Sequence, residues 1–69
     1  MLTDNQLETL IERLKQEGVS YKLVANISNI PTTTFYFYRR SKHYPLEVRQ
    51  QIVDALYKRF GDMIDELSK

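Results

Sequence analysis

The chain has 69 residues, no cysteine, a formal net charge of +1, and 42% hydrophobic against 28% charged side chains. That length makes one domain, 1–69, and a domain this small buries only ~60% of the surface its unfolded chain exposes, which leaves little room for a large internal active site. The composition is that of an ordinary globular chain, so it excludes a disordered tail, a membrane span of ~20 consecutive apolar residues, a disulfide framework and a thiolate metal cluster.

The start, Met1-Leu2-Thr3-Asp4, lacks the basic then apolar stretch of a signal peptide, and a reducing cytoplasm is the expected compartment. The weak net charge hides an uneven distribution. Residues 1–17 carry four acids against two bases, and residues 54–69 carry four acids against three bases. Residues 18–53 carry five bases (Lys22, Arg39, Arg40, Lys42, Arg49) against Glu47 alone. No acidic residue lies between Glu17 and Glu47, so a phosphate backbone approaching that stretch would meet no like charge from within it.

About five helices are predicted. Thr3 and Gln6 have the spacing of a capping box, and Leu7, Leu10, Ile11 and Leu14 follow as one apolar stripe up to Gly18, which suits a left-handed stop. Ser20 is placed to cap a short helix over residues 21–28, in which Leu23, Val24 and Ile27 are apolar; Asn29 can take the left-handed turn after it. Ile30-Pro31 closes the connection.

The stretch from Thr32 to Arg40 is locally strand-like, because Thr-Thr-Thr-Phe-Tyr-Phe-Tyr is built of β-branched and aromatic residues. It is nevertheless read as a helix, since no partner strand is visible and a lone strand leaves its backbone groups unpaired. Pro45 suits the first turn of a fourth helix, for which Leu46, Val48, Ile52, Ala55, Leu56 and Phe60 supply a core face up to Gly61. Asp62 is placed to cap a last short helix with Met63, Ile64 and Leu67 on its apolar side, and Ser68-Lys69 should fray.

Two short helices joined by a tight turn, the second rich in residues that reach base edges or phosphates, meet the physical requirements of a helix-turn-helix. The segment from Ser20 to Tyr38, S-Y-K-L-V-A-N-I-S-N-I-P-T-T-T-F-Y-F-Y, resembles the lambda-repressor and Cro-like family of phage and bacterial regulators. Ala25 matches the small residue at which the two helices touch, Val24 and Ile30 match buried aliphatic positions, and Asn29 stands where glycine is usual. Phe35 and Tyr38 match the core anchors of the recognition helix. The amphipathic first helix, the helix after Pro45 and the closing Phe60-Gly61-Asp62-Met63-Ile64-Asp65-Glu66-Leu67 extend the likeness over nearly the whole chain. Departures are Asn29 for glycine, Pro31 for a serine or threonine cap, and a dense run of aromatic residues.

In a helix, Thr33, Tyr36, Phe37 and Arg40 share one face by the i, i+3, i+4, i+7 rule, while Phe35 and Tyr38 share another. The resemblance implies that Thr32, Thr33, Tyr36, Phe37 and Arg40 face bases in the major groove, with Thr34 at the edge of that set. It also implies that Thr34, Ser20, Tyr21, Lys22, Arg39 and Lys42 hold phosphates, which position a protein without reading sequence. An arginine pairs bidentately with guanine O6 and N7, and threonine methyls and Phe37 suit the thymine methyl. The bland alternatives are that the four rings serve the core or a dimer surface and that Arg39, Arg40 and Lys42 only complement a helix dipole.

The implied fold is an all-α bundle of about five helices, and the implied function is a sequence-specific transcriptional regulator of phage or mobile-element type. Double-stranded operator DNA is the expected partner, bound by a homodimer through Met63, Ile64 and Leu67 in a bacterial cytoplasm, with the protein nucleoid-associated when bound. An antirepressor or inhibitor that grips a protein with the aromatic face is the rival reading. An excisionase-like architectural role is a third, although no wing strands are visible. No cofactor or small-molecule substrate is called for. A lone His43 without cysteine does not suggest zinc, and Asp62, Asp65 and Glu66 lack the spaced oxygen ligands of a calcium loop. No Ser/His/Asp spacing, Gly-rich phosphate loop or paired carboxylate points to an enzyme.

Overall fold

The computed structural model describes residues 2–67, and over them the backbone forms four helices and no strand: α1 (Asp4–Gln16), α2 (Tyr21–Ile27), α3 (Thr32–Ser41) and α4 (Leu46–Leu67). The expected fraying of Ser68 and Lys69 lies outside the described residues. The radius of gyration is 10.9 Å, in line with the ~11 Å of a compact chain of this length.

The starts of α1 and α2 are fixed by side-chain caps. The Thr3 hydroxyl accepts from the Gln6 amide while the Gln6 side chain accepts from the Thr3 amide, closing the capping box of α1. The Ser20 hydroxyl accepts from the Leu23 amide and starts α2. The α3 cap, Pro31, offers no side-chain bond, so the amides of the first turn have no capping partner from Pro31.

The stops of α1, α2 and α3 share one device. Gly18 (φ 97°), Asn29 (φ 59°) and Lys42 (φ 58°) are left-handed. The amide of the residue after each donates five residues back: Val19 to Leu14 O (2.9 Å), Ile30 to Ala25 O (3.0 Å), His43 to Tyr38 O (3.3 Å). These are Schellman closures, and the left-handed residue turns the chain back toward the bundle.

Inside, Leu7, Ile11 and Leu14 of α1 pack with Val24 and Ala25 of α2, Phe35 of α3, and Ile52, Leu56 and Ile64 of α4. The strand-like stretch is helical because Phe35, completely buried, and Tyr38, packed against the core, give it a tertiary anchor that outweighs local β preference. Two buried hydrophobic residues were not foreseen. Val19 follows the Gly18 turn inward, and Tyr44, in the α3–α4 connection, is wholly buried and the bulkiest such side chain.

Two expectations need correction. The fifth helix follows the fourth without a loop: the span Leu46–Leu67 is two helical stretches that meet at a kink at Phe60, where φ −125° and ψ 25° leave helical geometry one residue before the end expected at Gly61. Gly61 does not enter the left-handed region, so the break is a kink and not a left-handed stop. Leu46, expected in the core, is 59% exposed. It precedes Ile52 by six residues, which at ~100° per residue places it ~240° around the helix from that core position.

Candidate functional site

α3 is held with one face inward and one outward. Phe35 is buried, Tyr38 packs against the core and its ring lies 6.1 Å from that of Tyr44. On the opposite face Thr33 and Arg40 are exposed, Tyr36 is 42% exposed and Phe37 54%. Thr32 and Thr34 are half-buried at the edge. The division of the aromatic block into an inward and an outward pair is thus as the helical spacing requires.

Arg39 and Tyr21 stand apart from this surface. Arg39 turns sideways toward α1, with Nε 3.3 Å from Glu8 Oε1 and a second amino nitrogen bonded to Glu12. Its side chain is only 20% exposed. The guanidinium carbon lies 3.8 Å from the centroid of the Tyr21 ring, a cation–π contact, and the Tyr21 hydroxyl donates to Glu12 over 2.7 Å. Both residues, expected on phosphates, are engaged within the fold. The bond to Glu12, helped by burial, raises the Tyr21 pKa. For Arg39, burial works against the charge, and the bond to Glu8 leads the opposing effects that leave its pKa raised.

The connection after α3 is tied to the start of α1. Asp4 accepts from the Tyr44 amide (3.0 Å) and from His43 Nδ1 (3.2 Å), and Arg49 Nη1 donates to the Leu2 carbonyl (3.1 Å). The amide bond from Tyr44, with help from His43 and Arg49, keeps the Asp4 carboxyl below its ordinary value despite some desolvation. The Tyr44 hydroxyl donates to Glu8, and burial first, then that bond, pushes its pKa far up.

Charge is therefore distributed differently in space than along the sequence. Glu8 and Glu12 neutralise Arg39, and Asp4 lies 3.9 Å from Arg49. Of the five bases in residues 18–53, two are compensated and three (Lys22, Arg40, Lys42) are exposed, without an ion-pair partner among the described residues. The missed partners had a signal: Glu8 and Glu12 are one turn apart and directly follow Leu7 and Ile11, on the margin of the buried stripe. Ser20 is exposed at the cap of α2, and Lys42 doubles as the left-handed residue that ends α3.

The expected dimer face is only partly on the surface. Ile64 is 2% exposed and belongs to the monomer core, because the kink at Phe60 carries the end of α4 against α1. Leu67, half-buried, lines with Leu10, Tyr57 and Ile64 a groove of about 240 Å³ between α1 and α4; Met63 is also half-buried. Among the described residues no helix is long and apolar enough to cross a membrane. No protein-family model, curated protein or solved structure matches the chain.

Proposed function

We propose that the protein is a sequence-specific DNA-binding regulator that lays α3 in the major groove of an operator. One observation carries this reading: α3 is fixed by Phe35 and Tyr38 so that Thr33, Tyr36, Phe37 and Arg40 project together from an exposed face, across a four-residue turn from α2. Arg40 supplies the bidentate donor for guanine, Thr33 and Phe37 the apolar contacts for thymine, and Tyr36 a hydroxyl that donates or accepts. Lys22 and Lys42 supply phosphate contacts, joined by the amides of the first α3 turn, which Pro31 leaves without a side-chain cap. The resemblance to lambda-repressor and Cro-like proteins supports a regulator of phage or mobile-element type, acting in a bacterial cytoplasm.

Such a domain gains affinity as a homodimer that reads half-sites about 34–36 Å apart. With Ile64 in the core, the dimer face falls on Met63 and Leu67 beside the exposed Tyr57.

Selection of bound sequences from a randomised duplex pool tests the reading. Enrichment of a short palindromic site supports it, and recovery of unenriched sequences refutes specific recognition. A protein-binding role is favoured by a different observation, the exposure of Tyr36 and Phe37 beside only three uncompensated cations. Aromatic anchors of that kind dominate protein interfaces and respond little to salt, whereas phosphate contacts weaken steeply.

A further inference from the structure

Tyr36 stands on the outward face of α3, yet its ring has neighbours on two sides. Tyr21 meets it edge-on, with centroids 6.4 Å apart and an interplanar angle of 85°, and the Phe35 ring lies 6.1 Å away. Tyr21 is itself fixed from several directions. Its hydroxyl is bonded to Glu12, Arg39 covers its ring at 3.8 Å, and Lys15 Nζ lies 5.3 Å from the ring centroid. Arg39 in turn is anchored on Glu8 and Glu12. A continuous set of contacts therefore runs from the acidic edge of α1, through the first residue of α2, to an exposed ring on α3.

We propose that Tyr21 is a positioning residue: braced by Glu12 and Arg39, it fixes the Tyr36 ring on the outward face of α3 so that Tyr36 discriminates between bases. The inference rests on the DNA-reading role of α3 proposed above. A phenol held in one rotamer offers its hydroxyl to one base edge, whereas one free to swing about χ1 reaches several edges and distinguishes none; holding a contact group by its supporting shell is what confers selectivity. The Tyr21 hydroxyl already donates to Glu12 and Arg39 covers its ring, so in this proposal Tyr21 acts through Tyr36 and Arg39 through Tyr21.

The test measures binding to an enriched duplex and to its single-base variants for Tyr21→Leu, in the natural background and combined with Tyr36→Ala. Tyr21→Leu is expected to lower the preference at the base pair read by Tyr36 about five- to tenfold without changing the salt slope, and to change it less than about twofold once Tyr36 is alanine. Tyr21→Phe keeps the ring and removes only the bond to Glu12; it serves if Tyr21→Leu fails to fold, with an expected loss of about two- to threefold. Uniform weakening of all sequences would make Tyr21 a phosphate contact and overturn the proposal, as would an undiminished effect beside Tyr36→Ala. In the free protein, Overhauser contacts between the Tyr21 and Tyr36 ring protons are expected. Their absence with DNA binding intact overturns the brace alone, and their presence with no duplex enriched overturns the DNA reading and the base discrimination that depends on it.

Discussion

Asn29 and Lys42 carry side chains in left-handed backbone, and each ends a helix that bears on the outward face of α3. A left-handed conformation costs a side chain about 1–2 kcal/mol, least for asparagine. Lys42→Gly is therefore expected to raise stability by about 0.5–1 kcal/mol after the entropy glycine adds to the unfolded chain. The same change removes an exposed cation, so the salt dependence of DNA binding should become shallower by about one. Asn29→Gly should be tolerated, while Asn29→Val should cost ~1 kcal/mol or more, because a β-branched residue resists this region. Urea unfolding of the three variants checks the order. Asn29 was legible because asparagine favours such a turn; Lys42 was not, since lysine carries no mark of one.

Asp4 gives the molecule a pH-dependent clamp. Its folded pKa lies below the ordinary 3.8, so its contribution is complete above that value and is lost as pH falls through the folded pKa. Unfolding midpoints should fall in that acid window, and Asp4→Asn should flatten that part of the profile. A profile unchanged by Asp4→Asn would remove the clamp from the account.

At the scale of elements, the break expected in α4 at Gly61 takes the form of a kink. Glycine signals a stop only when it adopts positive φ, and here the departure from helical geometry sits one residue earlier, at Phe60. A Cβ built on Gly61 meets nothing within 4 Å, so Gly61→Ala should stabilise by up to about 1 kcal/mol. Gly18→Ala, at φ +97°, should cost about as much; thermal melts of the pair distinguish the two roles. The stripes of α1 and the inward and outward faces of α3 were readable because local helical spacing sets them. The ion pairs of Arg39 and the burial of Tyr44 were not, because they join residues 27 to 36 positions apart and no local pattern encodes that distance.

For the whole molecule, the bundle keeps Arg40 outside its own bonding network, exposed beside Tyr36 and Phe37. Arg40→Ala should abolish specific binding and leave the melt nearly unchanged; a collapsed melt would show Arg40 to be structural. The most direct measurement is fluorescence anisotropy of the natural protein on an enriched duplex, titrated over a range of salt concentrations. With Lys22 and Lys42 on phosphates and Arg40 on a base edge, the logarithm of affinity should fall with the logarithm of salt at a slope of about −2 per bound chain. A flat response, or no binding even at low salt, would contradict the account and make the Tyr36 and Phe37 surface a site for a protein partner.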